Sequence, residues 1–245
     1  MKLILRLLIL LLCIFFNASP LYANIRVGTL LFYPPFANSG GGGFDNDLIQ
    51  KICQRLHETC ILVPMDSNQL YPALDNGKID IAIGLISISS NESSKYTYSL
   101  PYLVSKGQFL VSNGNIKSIQ DLKGKKVGVI RGKEDNADTF YNYLITNFNG
   151  LFEIIQFDDI EDLITSLNGG DIAGAYIHKS AASYWARNSN GELVALDPAN
   201  TLGEGLAMIA LPANAPLIQR INQQLQQMEK DSTFLNLYNT YFGQL

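Results

Sequence analysis

The spacing of apolar residues divides the chain into alternating strands and helices. Ile25-Arg26-Val27-Gly28-Thr29 reads as a strand, and Asp45 is placed to cap a following helix whose Leu48, Ile49, Ile52 and Leu56 recur at helical spacing. Next, Leu70-Tyr71-Pro72-Ala73-Leu74-Asp75-Asn76-Gly77-Lys78-Ile79-Asp80-Ile81-Ala82 reads as a short helix, a glycine stop and a buried strand. The same grammar returns later. A strand over Lys126-Val127-Gly128-Val129-Ile130 leads to a helix with Phe140, Leu144, Ile145 and Phe148 as core residues, and then Leu163-Ile164-Thr165-Ser166-Leu167-Asn168-Gly169-Gly170-Asp171-Ile172-Ala173 repeats the helix, stop and strand. Beyond this second unit, Ala207-Met208-Ile209-Ala210-Leu211 predicts a strand, and helices are expected over 213–230 and 231–242. Strands alternating with helices give mostly parallel sheets covered on both faces.

Two such units predict two α/β lobes. The chain leaves the first near Val104 and still has a tail to place, and the simplest arrangement returns that tail to the first lobe. The expected division is 24–104 with 207–245 as lobe 1 and 105–206 as lobe 2, joined by a two-segment hinge. Ligands of open α/β sheets lie beyond the carboxyl ends of the strands, so the cleft between the lobes is the expected site.

The N-terminus changes the setting. Lys2 and Arg6 flank an apolar run over 7–16, which passes through Asn17, Ser19 and Pro20 to the small residue Ala23. That order is a secretory signal peptide over 1–23; the run is short for a membrane span, so an anchor is the weaker reading. Cys13 lacks the small residues before it that a lipoprotein cleavage site requires. Cleavage after Ala23 removes two cations, Lys2 and Arg6, and takes the formal charge from -4 to -6. With 47% hydrophobic and 16% charged residues the chain suits a folded domain and argues against disorder. The acidic balance also lacks the basic surplus that phosphate-backbone binding demands, so nucleic acid is not an expected partner.

Export bears on the cysteines. With Cys13 removed, Cys53 and Cys60 remain, and an even pair in an oxidising compartment suggests a disulfide from the end of a helix to the next strand. Two free buried thiols are the alternative. A metal site has less support, since His57 is the only nearby partner and the chain has two histidines.

Several segments together resemble a known family. Gly28-Thr29 with Tyr33-Pro34-Pro35-Phe36, Gly43-Phe44-Asp45-Asn46-Asp47-Leu48, the segment from Leu74 to Asp80, Ser87-Ile88-Ser89, Ser99-Leu100-Pro101-Tyr102, and Leu122-Lys123-Gly124-Lys125-Lys126-Val127-Gly128-Val129 resemble the polar amino-acid branch of bacterial extracellular solute-binding proteins, family 3, which feed ABC importers. The likeness covers nearly the whole exported chain and rests on the order and spacing of these pieces. It implies a periplasmic-binding-protein-like clamp that closes on a small polar solute, works as a monomer in the periplasm, presents its closed form to an inner-membrane ABC permease, and uses no cofactor or metal. The Cys53/Cys60 pair looks like the disulfide of the lysine/arginine/ornithine and histidine binders.

The resemblance carries over to the site unevenly. Tyr33 matches the aromatic that packs on the ligand side chain, Ser87 matches a hydroxyl that helps hold its carboxylate, and Ser67 and Leu85 fall where the pocket is usually lined. The arginine that clamps the ligand α-carboxylate is replaced by Glu92. In the second lobe the Gly-Thr/Ser-Thr motif reads Gly132-Lys133-Glu134, His178 replaces the acid that receives the α-ammonium group, and Leu30 stands where binders of cationic amino acids carry an aspartate. A ligand carboxylate within about 4 Å of Glu92 meets repulsion of several kcal/mol where attraction is usual. The substitutions favour a solute with its charges in the opposite sense, Lys133 near a helix N-terminus holding an acidic group beside His178 and Glu92 taking a cationic end, or a different polar solute altogether.

Plainer readings stand beside these. Glu92 lies in the polar loop Ser89-Ser90-Asn91-Glu92-Ser93-Ser94, Lys133 can be a solvated charge or pair with Glu92 across the cleft, and His178 can be a helix-start or buried histidine. Residues 40–43 lack the Gly-Lys-Ser/Thr that would make them a phosphate loop and read as a flexible surface turn. The alternative functions are an enzyme of the same fold, similar to cyclohexadienyl dehydratases, with Glu134, Lys133 and His178 as acid–base groups, or a sensor or scaffold without transport. The sequence offers no nucleophile elbow, metal set or paired carboxylates for catalysis.

Overall fold

The computed structural model describes residues 24–88, 95–132 and 139–243. In chain order the first lobe contributes β1 (Ile25–Leu30), α1 (Phe44–Leu56), β2 (Cys60–Met65), α2 (Leu70–Asp75), β3 (Ile81–Ala82) and β4 (Thr97–Tyr98). The second contributes β5 (Lys106–Ser112), β6 (Lys126–Ile130), α3 (Thr139–Asn147), β7 (Glu153–Phe157), α4 (Ile160–Gly169), β8 (Gly174–His178), α5 (Lys179–Asn188) and β9 (Leu193–Thr201). The chain then adds β10 (Ile209–Ala210), α6 (Ala215–Lys230) and α7 (Thr233–Phe242).

These strands form two five-stranded sheets, ordered β2-β1-β3-β10-β4 and β7-β6-β8-β5-β9. Within each, the first three strands are parallel and the fourth runs antiparallel. Because β10 inserts between β3 and β4, the tail closes the first sheet after the second has been completed.

The sequence repeat has a packing counterpart. A Cβ on Gly28 of β1 would lie 2.4 Å from Ile79 Cδ1, and one on Gly128 of β6 would lie 2.7 Å from Ile172 Cδ1. In both lobes, then, the isoleucine that follows the glycine stop packs directly on a bare backbone position of the central strand. Arg26 fastens the same junction in the first lobe: its Nη2 donates to Asp80 Oδ1 at 2.6 Å and its Nη1 to the Gly77 carbonyl at 2.6 Å.

Three sequence expectations are corrected. The α1 N-cap is Gly43 at φ 120°, and Asp45 lies inside the first turn, 2% exposed and with no capping role. A Cβ at residue 43 would sit 2.3 Å from the Phe36 carbonyl oxygen, so a glycine is needed there and the helix begins directly after it. Residues 40–42 do form a turn at the surface, and Asn46 Nδ2 donates to the Gly42 carbonyl at 3.1 Å. Ile145 is not core: it is 41% exposed, one helical step off the face on which Leu144 is buried and Phe140 and Phe148 pack at four-residue spacing. The final strand covers only Ile209–Ala210, because a 3-10 turn over Pro212–Asn214 intervenes before α6.

The lobes meet at two chain crossings, near residues 103–105 and 202–206. Leu206 N donates to Leu103 O at 2.8 Å, Leu202 N to Ser105 O at 2.9 Å and Tyr102 N to Leu206 O at 2.8 Å. Below, Ile88 N reaches Gly205 O at 2.9 Å and the Ser87 and Ser105 hydroxyls lie 3.2 Å apart.

Cys53 in α1 and Cys60 at the start of β2 form a disulfide, with Cα atoms 6.1 Å apart and a sequence separation of 7. His57 between them turns the chain in a left-handed conformation at φ 55°. For a loop this short, chain-entropy reasoning gives about 2 kcal/mol of stabilisation. Replacing both cysteines by alanine is expected to lower the urea-unfolding free energy by that amount, and an unchanged value would show that the bond does not constrain the unfolded chain.

Candidate functional site

Leu30 ends β1, residues 84–87 follow β3, Val129 and Ile130 end β6, and Ile177 and His178 end β8. These carboxyl ends face one another across the cleft and wall a cavity of about 120 Å3. A single water needs about 10–15 Å3 on a comparable measure, so there is room for a small solute.

Five of the residues singled out from sequence line this cavity: Tyr33, Ser67, Leu85, Ser87 and His178. Leu30, noted there as a departure, lines it too. Glu92, Lys133 and Glu134 lie outside the described residues. Tyr33 is held by a backbone bridge to Ala37 and an edge contact with Phe36 at 6.4 Å. Ser67 Oγ donates to the Arg131 carbonyl at 3.4 Å, a hydrogen bond from one lobe to the other at the cavity wall. Ser87 sits at the waist, bonded to Ser105.

His178 ends β8 and caps α5, and its Nδ1 accepts from Ser180 N at 3.2 Å, so the ring proton is on Nε2. It is 3% exposed, with its ring perpendicular to Phe36 of the other lobe at 5.0 Å. Burial pushes its pKa down to about 4; the Val104 carbonyl opposes this and Lys179 adds to it. The imidazole is therefore neutral near neutral pH, and among the described residues Nε2 has no partner in hydrogen-bond geometry.

Sequence reasoning missed much of the wall. Tyr71, Phe140 and Tyr176 also line it. Their periodicity marks them only as helix and strand residues, because an aromatic facing a solute and one facing a core have the same spacing. Among the described lining residues the charged side chain is Arg131, whose Nε donates to Asp158 at 2.8 Å. A smaller adjoining cavity, of about 90 Å3, is lined in part by Asp66, Asp158, Asp159 and Glu161.

Asp45 is buried next to the cavity-lining Leu85. Burial pushes its carboxyl up to about 7, and the nearby Tyr102 hydroxyl and Leu85 N–H oppose that push without reaching hydrogen-bond geometry. One neighbour, Leu85, lines the cavity, and the other immediately precedes the first crossing segment.

Comparison with known proteins places this geometry among relatives. A family model described as bacterial extracellular solute-binding proteins, family 3, matches residues 25–244. The L-cystine-binding protein TcyJ of Escherichia coli K12 is 31% identical over 229 residues, 88% of this chain and 83% of that protein. The histidine-binding periplasmic protein of the same strain is 28% identical over 231 residues, 89% of this chain and 87% of that protein. Among solved structures, an arginine third transport system periplasmic binding protein from Legionella pneumophila superposes with a TM-score of 0.82 at 32% identity, covering 89% of this chain and 99% of that one. These relatives are named for binding and not for catalysis.

The buried carboxyl gives a pH prediction. Asp45 holds its proton to about pH 7 in the native state, whereas an unfolded aspartate releases it near about 3.9. Native protein thus binds more protons across that window, so this group makes stability fall as pH rises from about 4 to 7. His178 acts in the opposite sense, its native pKa being the lower one. Asp45→Asn removes only the first contribution. Its unfolding free energy, relative to the parent, is expected to gain on the order of 1 kcal/mol per pH unit across the window, measured by urea denaturation; a pH-independent difference contradicts this assignment.

Proposed function

The chain belongs to the bacterial extracellular solute-binding proteins, family 3, and from that premise we propose that it captures a small polar, amino-acid-like solute between its lobes in the periplasm and delivers it to an ABC permease of the inner membrane. The observation that carries the reading is the cavity beyond the strand ends, walled by both lobes and spanned by the Ser67 to Arg131 hydrogen bond. A solute there touches both lobes only when they are closed, so its binding energy selects the closed form. No bond need be made or broken.

In this reading residues 1–23 are the export signal, 24–104 with 207–245 and 105–206 are the two moving lobes, and the exported protein works as a monomer. Tyr33, Leu85 and Ser87 contact the solute from the first lobe and His178 from the second, while Ser67 spans the gap. Glu92, Lys133 and Glu134 supply the charges that read its ends. With Glu92 acidic and His178 neutral, an α-carboxylate and α-ammonium group do not find the family's usual partners, and the solute's charges are met in the opposite sense. The relatives named for arginine, cystine and histidine support an amino-acid-like size.

The test is a thermal-shift panel of amino acids, polyamines, organic acids and cations. A cognate solute at 100 times its Kd adds about 2.7 kcal/mol to folded stability; a panel with no stabilising member contradicts a capture role. Glu92→Arg is expected to move preference toward ordinary α-carboxylates, and unchanged selectivity would remove Glu92 from the site. Protein recovered from the periplasm is expected to begin at Asn24, and a chain still beginning at Met1 would refute the export signal.

A further inference from the structure

We infer that Leu85 is a specificity-determining residue, and that the solute presents to the described wall an apolar, flat body with no charge of its own. The inference rests on the capture role proposed above and names the class of solute. Leu85 has a left-handed backbone at φ 56°. That conformation suits glycine or asparagine and disfavours a branched apolar side chain. Leu85 is nonetheless only partly buried, so core packing does not account fully for a leucine at this position. A strained residue on the wall of a binding cavity points to a use there.

The surroundings agree. Next to it, a Cβ on Gly84 would sit 2.8 Å from Leu30 Cγ and 3.2 Å from Leu70 Cδ1, so this part of the first-lobe wall is hydrocarbon laid directly on backbone. Tyr33 and Tyr71 line the cavity from the first lobe and Phe140 from the second, with Tyr176 backing Phe140 at 5.8 Å. Aromatic side chains from both lobes suit a flat apolar group.

Charge argues the same way. No carboxylate stands among the described residues lining this cavity; its cation, Arg131, is bonded to Asp158, and His178 is neutral. A guanidinium brings five N–H donors and an ammonium three, each needing an acceptor. Burying a charged group against this wall without partners is unfavourable.

Titration calorimetry with L-phenylalanine, L-arginine and L-glutamate tests the idea, because the three share the same α-groups, whose cost at this site is common to all and leaves the side chains to be compared. L-phenylalanine is expected to bind at least about tenfold more tightly than either charged amino acid, the scale of one well-buried apolar side chain. Tighter binding of L-arginine or L-glutamate, or no binding of L-phenylalanine while another solute of the panel binds, overturns the inference and leaves the capture role standing; if none of the three binds and the wider panel also gives no hit, both fall. Leu85→Asn relieves the backbone while removing the apolar contact. It is expected to weaken L-phenylalanine binding about tenfold with an undiminished urea midpoint, a combination that a purely structural leucine would not give. Unchanged affinity in Leu85→Asn overturns the assignment. Leu85→Met, which keeps the apolar bulk, is expected to retain affinity even should the asparagine variant fold poorly, and loss of binding in a folded Leu85→Met protein counts against it.

Discussion

Between its two sheets the chain passes twice, and the two passages are hydrogen-bonded to each other: Leu206 to Leu103 and Leu202 to Ser105. A single linker would leave the lobes free to take many relative positions, whereas a paired waist limits them to bending about it. Since the chain must leave the first lobe before finishing its sheet, β10 and the last two helices have to return, and the return is what makes the second crossing. The carboxyl ends of β1, β3, β6 and β8 are thereby brought to one cleft, where loop residues too short-ranged to meet within either lobe form common walls. This topology places the cavity where both lobes reach it before any one contact is considered.

Each lobe solves the same packing problem in the same way. A central parallel strand has a bare glycine, Gly28 or Gly128, and an isoleucine from the turn after the neighbouring helix fills the space above it. The stable parts of the fold are thus duplicated, and the differences collect where the strands end. There the first lobe offers Leu30, Gly84 and Leu85, a hydrocarbon surface, while the second offers a neutral histidine that caps a helix and touches Phe36 across the cleft. Family membership fixes the architecture, and these end residues form the wall of the cavity.

Much of this was legible in the sequence. The strand and helix alternation, the internal echo and the returning tail follow from the spacing of apolar residues, since burial in a parallel sheet imposes that spacing. Five of the eight candidate ligand residues line the cavity because the family's motifs fix their positions at strand ends. What was not legible is equally physical. Asp45 looks like a helix cap by type, yet the steric demand at Gly43 sets the helix start, and the carboxyl ends up buried. Tyr71 and Phe140 carry no mark distinguishing a cavity wall from a core, and Ile145 was misplaced by one helical step. The left-handed backbone at Leu85 could not be read at all, because leucine gives no signal for it.

The central claim is that a solute is held by closing one lobe onto the other about the paired waist. Small-angle X-ray scattering of the exported protein, alone and saturated with the solute that stabilises it most, measures that movement most directly. The account predicts a smaller radius of gyration on saturation, reached through a mixture of two states at partial occupancy. A solute that saturates the protein while the scattering stays that of the unliganded form would contradict it.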